Sequence, residues 1–129
     1  MTASDFPSVF KNLRAMLKPF EARLILTADE LDDYSLSTPY SQEYRKEFFV
    51  AGVQIKKNYV SYHLMPVYIF PSLLDGISPE LKKHMQGKSC FNFKKVDRAL
   101  FGELSQLTKR GFKQFRREGP PTPPPGWNS

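Results

Sequence analysis

Apolar residues recur at intervals of three and four near the N-terminus, which predicts an amphipathic helix. Ser4 can cap this helix, and Pro7 lies in its first turn, where a missing backbone N–H costs little. Pro19 kinks or shortens a helix, so we expect the helix to end between Lys18 and Arg23. The inward stripe consists of Phe6, Val9, Phe10, Leu13, Met16, Leu17 and Phe20.

An acidic and turn-rich segment follows at residues 28–41. Residues 24–27 predict the start of an extended segment. Residues 34–38 then predict a short strand, which Pro39 ends because the residue before a proline favours extended backbone.

Residues 48–68 predict the best hairpin in the chain. The first strand alternates and ends near Ile55, and Lys56, Lys57 and Asn58 form a tight turn into the second. The alternation places four residues on one face of the first strand: Phe49, Ala51, Val53 and Ile55.

The second strand, residues 58–68, predicts two faces of different chemistry, because successive side chains point to opposite sides. One face is apolar and consists of Val60, Tyr62, Leu64 and Tyr68. The other carries hydroxyl, imidazole and thioether groups, on Tyr59, Ser61, His63 and Met65. A face of this composition either packs against a second layer or lines a pocket.

Two capping signals mark the C-terminal half. Ser78 predicts the cap of a short helix that begins at Pro79, holds Leu81 and Met85 inward and ends at Gly87.

Residues 88–93 predict another strand, in which Cys90 and Asn92 face away from Phe91 and Phe93. Asp97 then predicts the cap of a long amphipathic helix. The inward residues of that helix are Leu100, Leu104, Leu107, Gly111, Phe112 and Phe115.

This order of elements predicts an α+β fold, an antiparallel sheet with the N- and C-terminal helices packed on one face. We expect one domain at residues 1–118 and a proline-rich tail at 119–129. The chain has 129 residues, of which 40% are hydrophobic, so it can fill one core.

The charge is uneven along the chain. Residues 1–43 carry 4 basic and 7 acidic side chains, whereas residues 44–129 carry 15 and 6. No nucleic-acid motif accompanies the basic half, so we expect a solvated basic surface rather than a nucleic-acid partner. No apolar run approaches the ~18 residues of a membrane span, so no membrane partner is expected. The lone Cys90 and the absence of a signal-like start favour the cytoplasm.

Four segments stand out together, residues 34–39, 57–68, 87–93 and 107–116. Through them the chain resembles the YdhG-like family, small bacterial domains with an α+β fold distantly similar to frataxin. The resemblance spans most of residues 6–118 and implies the fold, but the family brings no activity. Frataxin implies a link to iron, and the first helix departs from the acidic ridge of such proteins.

The pair His63 and Cys90 is the main candidate for chemistry, as a base and a nucleophile. No oxyanion-hole motif accompanies the pair, so we expect Cys90 to be an unreactive thiol and predict no catalytic residue. Histidines and cysteines do not occur at metal-ligand spacings, so no metal site or cofactor is expected. The acidic run Asp29, Glu30, Asp32 and Asp33 is expected to be a solvated turn.

The sequence therefore predicts a non-enzymatic module that binds a small ligand or a partner protein. Two alternatives stay open: a metal-handling protein, with iron as the metal, and an enzyme centred on His63 and Cys90. The identity of the ligand and the oligomeric state are also open. The predicted ligand-binding residues are Tyr59, Ser61, His63, Met65 and Cys90, together with Tyr40 and Lys57.

Overall fold

The computed structural model describes residues 6–37 and 49–118. Within these residues, six strands form one antiparallel sheet: β1 Ile25–Glu30, β2 Asp33–Ser37, β3 Phe49–Ile55, β4 Val60–Leu64, β5 Met85–Gln86 and β6 Cys90–Phe93. Their order across the sheet is β1-β2-β3-β4-β6-β5. The predicted α+β fold is confirmed.

The helices of the described residues are α1 Phe6–Leu17, α2 Met65–Ile69, α3 Pro79–Lys82 and α4 Arg98–Glu118. Two 3₁₀ turns lie at Lys18–Arg23 and Pro71–Leu74. α1 packs on β3 and β4, and α1, α2 and α3 all contact α4. We call the sheet face under α1 and α4 the inner face and the opposite one the outer face.

The core lies between the inner face and the two long helices. Tyr62, Phe91 and Leu104 are fully buried there, and the hydroxyl groups of Tyr62 and Thr108 lie 2.7 Å apart. The predicted inward stripes of α1 and α4 are largely buried, although Phe6, Met16, Phe20 and Leu100 are only partly so. Phe101 and Thr108 are buried as well. A helix on a broad sheet buries more than one narrow stripe, which is why the sequence missed them.

The predicted hairpin is confirmed as β3 and β4, and the backbone N–H of Lys56 donates to the carbonyl of Tyr59 across its turn. The prediction that Phe49 shares a face with the other alternating residues of β3 is wrong. The pairing of β2 with β3 shifts between Leu36 and Ser37, and the ring of Phe49 lies beside His63 on the outer face. A β-bulge of this kind re-aims one side chain.

The strand predicted at residues 58–68 ends earlier, at Leu64, and Met65 begins α2. Pro66 lies in the first turn of that helix. Proline cannot donate to a strand ladder and its φ angle suits a helix start, so the alternation beyond Leu64 is not that of a strand. Met65 and Tyr68 therefore leave the two predicted strand faces.

The acidic segment is more regular than predicted. β1 continues to Glu30, and Leu31 and Asp32 form a two-residue turn into β2. Aspartate and glutamate are depleted in strands, so the residue types of this segment do not predict the β1–β2 hairpin. Pairing with β2 overrides that weak local preference.

Both capping predictions in the C-terminal half are confirmed. Ser78 Oγ accepts the N–H of Leu81 at 3.1 Å, and Asp97 Oδ1 accepts the N–H of Leu100 at 3.0 Å. Met85, however, belongs to β5 instead of the helix before it. Gly87 has a φ of 77° and forms the turn between β5 and β6, a conformation that favours glycine.

Four expectations fall on residues that the structure does not describe: the Ser4 cap, the strand end at Pro39, Tyr40 and the tail at residues 119–129. None of the described helices is long and apolar enough to cross a membrane.

Candidate functional site

The candidate site is built on the outer face of β4 and β6. The register places His63 between Gly52 of β3 and Cys90 of β6. Ser61, two residues before His63 and on the same face of β4, lies between Gln54 of β3 and Asn92 of β6. We call Ser61, His63, Cys90 and Asn92 the outer-face cluster. Two separated sequence segments form it, because β6 pairs directly with β4.

The closest contact in the cluster joins the thiol and the imidazole. Cys90 Sγ lies 2.9 Å from Nε2 and 3.3 Å from Nδ1 of His63. The two ring nitrogens direct their lone pair or N–H away from each other, so one sulfur cannot lie along both directions. The pair is therefore a close packing contact and lacks the linear geometry of a base that accepts a thiol proton.

The electrostatics keep both groups neutral. Burial raises the pKa of the Cys90 thiol, and a hydrogen bond with Ser61 and the charge of Lys56 only partly oppose this. Burial also lowers the pKa of the His63 imidazole, and the positive Lys56 lowers it further. A reactive thiolate beside an imidazolium requires the opposite shifts. Near neutral pH the cluster thus presents a thiol and a neutral imidazole.

Phe49 forms an apolar wall beside the cluster. Its ring meets the His63 ring edge to face, with centroids 5.6 Å apart. A Cβ atom on Gly52 would lie 2.9 Å from the Tyr34 carbonyl and 3.0 Å from the Phe49 ring. Glycine is therefore needed at position 52 for the backbone and the ring to approach this closely.

One polar atom of the cluster lacks a partner. The side-chain oxygen of Asn92 is buried and accepts no hydrogen bond within the described part of the chain. Both backbone groups of Asn92, by contrast, are paired with His84. The N–H donates to the His84 carbonyl, and the carbonyl oxygen lies 2.8 Å from Nδ1 of the His84 ring. Buried acceptors in native proteins are usually paired, so this oxygen has an unused capacity to accept a hydrogen bond.

The other predicted site residues are placed less closely together. Tyr59 is partly buried just before β4, and Lys57 is exposed in the hairpin turn. Met65 is partly buried in α2, beyond the end of the strand. Tyr40 lies outside the described residues. The structure thus brings together Ser61, His63 and Cys90, and it adds Asn92 and Phe49. Strand alternation already placed Asn92 beside Cys90 in the sequence.

A groove at the far end of the sheet was not predicted. It has a volume of about 1020 Å³ and lies between α1 and the β1–β2 turn. We call it the α1 groove; its apolar lining is Pro7, Phe10, Leu31 and Ile55, and its charged lining is Lys11, Arg14, Asp29, Glu30 and Asp32. The one sequence signal was Leu31, a large apolar residue within an acidic run.

The acidic run does not converge on one point. Asp29 pairs with Arg14 of α1 at 2.9 Å, whereas Asp33 accepts a hydrogen bond from Gln54 at 3.3 Å. Among residues 6–37 and 49–118, no three histidine, cysteine, aspartate or glutamate side chains are arranged to hold a metal ion.

Comparisons with known protein families, with curated proteins and with solved structures find no match for this chain. The site is thus defined by its geometry alone, in an α+β domain with both long helices on one sheet face and a polar cluster on the other.

Proposed function

We propose that this protein is a non-enzymatic binding module whose outer-face cluster holds a small ligand or a partner protein. The observation that carries the proposal is the unpaired side-chain oxygen of Asn92 beside Ser61. A bound donor group would satisfy this acceptor, and leaving it unpaired costs about 1–3 kcal/mol.

The chemistry of the neighbouring groups supports binding over catalysis. The shifts in the pKa values of Cys90 and His63 both favour the neutral forms, so the thiol is not activated as a thiolate and the imidazole is a weaker base than usual. A neutral imidazole and a thiol beside the Phe49 ring suit a ligand of mixed polar and apolar character.

We also propose that the protein acts in the bacterial cytoplasm. A single cysteine that is partly exposed and unpaired suits a reducing compartment. The resemblance to the YdhG-like family supports a bacterial origin and stays part of the proposal.

Thermal-shift screening with neutral amides, ureas and alcohols tests the proposed function. A ligand that binds the folded state raises the melting temperature by mass action. We expect Asn92→Ala to abolish the rise. Gln54→Ala is the matched control, since Gln54 lies on the same face but its amide donates to Asp33. A rise that persists in Asn92→Ala would place the ligand elsewhere and contradict the proposal.

A further inference from the structure

The two edges of the sheet are protected to different degrees. β5, at one edge, has two residues, whereas β1, at the other, has six, of which five are exposed. Short edge strands are one means by which proteins prevent strand addition, and β1 lacks it. Among the described strands, only β2 pairs with β1, so the other side of β1 offers backbone N–H and C=O groups to an extended peptide.

The edge of β1 has an apolar half and an acidic half. Ile25 and Leu26 are 40% and 41% exposed, which is high for large apolar side chains. The pairing with β2 shifts between Leu26 and Ala28 and is regular from Ala28 to Glu30. An incoming strand therefore finds a regular template beside Asp29 and Glu30.

The same two acidic residues also line the α1 groove, so the strand edge and the groove are continuous. Leu31 stands at the lip of the groove with 94% of its surface exposed, and Phe10 and Ile55 lie within. A strand added beside β1 would direct alternate side chains toward this apolar surface.

The charged side chains that line the groove favour a partner of opposite charge. Arg14 and Asp29 neutralise each other at 2.9 Å. Glu30 and Asp32 form no ion pair with any described residue, and only Lys11 opposes them along the lining. The remaining rim is net negative and complements a basic segment.

We propose that β1 and the α1 groove together bind an extended peptide in which large apolar residues alternate with lysine or arginine. The peptide backbone continues the sheet at β1, its apolar side chains enter the groove, and its basic side chains lie beside Glu30 and Asp32. A peptide of alternating residue types suits β1, because successive β1 side chains point to opposite sides. Asp29 faces α1, and Glu30 faces the opposite side. This site is separate from the outer-face cluster, so its test is independent of the proposed function.

A capped peptide of alternating valine and lysine, added to ¹⁵N-labelled protein, tests the proposal. We expect shifts in the backbone amides of Ile25–Glu30 and a loss of affinity with added salt. The double variant Glu30→Lys, Asp32→Lys should weaken binding about tenfold or more, since two favourable charge contacts become repulsive. Asp75→Lys, at another exposed acidic residue, is the matched control and should leave the affinity unchanged.

Two further probes separate the parts of the site. Leu31→Ala should weaken binding without loss of stability, because Leu31 is almost fully exposed. A peptide with N-methyl groups on its β1-facing amides should also bind weakly. The proposal is overturned by equal binding of the N-methylated peptide, by equal binding of an alternating valine and glutamate peptide, or by the absence of β1 amide shifts. Shifts that grow with protein concentration alone would identify a second copy as the occupant and overturn it too.

Discussion

The two faces of β4 show how neighbouring residues acquire different roles. Tyr62 is fully buried on the inner face, and its hydroxyl reaches Thr108 of α4. His63, the next residue, is partly buried on the outer face against Cys90 and Phe49. The inner face satisfies its polar groups within the fold, whereas the outer face leaves the Asn92 oxygen unpaired. We therefore expect the inner face to contribute most to stability, and the proposed binding function falls on the outer face.

The largest effects should come from the inner face. Leu13→Ala and Leu104→Ala should each lower the free energy of unfolding by about 2–5 kcal/mol, because both side chains are fully buried and leave a cavity. Chemical denaturation measures the loss. Gly102→Ala is the control on exposed α4 surface, where a new Cβ meets nothing and should stabilise the helix by about 0.5–1 kcal/mol. Unchanged midpoints for both leucine variants would contradict the described core.

Gly52→Ala tests whether the outer face is loosely packed throughout. The new Cβ would lie 2.9 Å from the Tyr34 carbonyl, so we expect a loss of about 1–3 kcal/mol, as for overpacking. Phe49→Ala in the same background should recover only part of the stability, because the backbone clash remains. Neutral Gly52→Ala would mean that Phe49 and the Tyr34 carbonyl are not held against Gly52.

The Tyr62–Thr108 hydrogen bond tests the packing of the inner face, because removing one partner should cost more stability than removing the other. Thr108 donates to the carbonyl of Leu104, so Tyr62 must be the donor between the two hydroxyls. Thr108→Val leaves a buried phenol unpaired and should cost about 1–3 kcal/mol, whereas Tyr62→Phe should cost only about 0.5–1.5 kcal/mol. The double variant should cost less than the sum of the two. Additive losses, measured in a double-mutant cycle, would argue against the hydrogen bond.

Substitutions in the outer-face cluster should cost less than the core changes. His63→Ala and Cys90→Ala should each lower stability by less than about 1.5 kcal/mol, because both side chains keep contact with solvent. The thiol should react slowly with iodoacetamide at neutral pH, and His63→Ala should not slow it further. Unfolding of either variant would show that the outer face is a second packed layer. Fast, His63-dependent alkylation would instead support the enzyme alternative.

The smallest effect is the pH dependence of this cluster. The lowered pKa of His63 means that the unfolded chain binds its proton more readily, so stability falls as pH drops through the ordinary histidine range. The raised pKa of Cys90 means that the unfolded chain releases its proton more readily, so stability also falls as pH rises through the ordinary thiol range. Denaturation midpoints across this window should therefore peak near neutral pH. His63→Ala should remove the acid side alone; an unchanged acid side would assign that slope to another group.

Local patterns were informative wherever one short-range interaction dominates. The helical stripe of α1, the β3–β4 turn and the caps at Ser78 and Asp97 could all be predicted, because each depends on residues a few positions apart. Met65 was misplaced because alternation alone does not register that Pro66 cannot extend a strand. β1 was underestimated because its acidic residues form a strand only through pairing with β2.

For the candidate site, the sequence by itself determined which side chains share a face of one strand, since alternation has a fixed period of two. It thereby placed Ser61 with His63, and Cys90 with Asn92, before any strand pairing was known. Only the tertiary structure decided that β6 lies beside β4, that a bulge turns Phe49 outward, and that α1 leaves a groove beside the β1–β2 turn. These depend on register and packing between segments distant along the chain, which no local periodicity specifies.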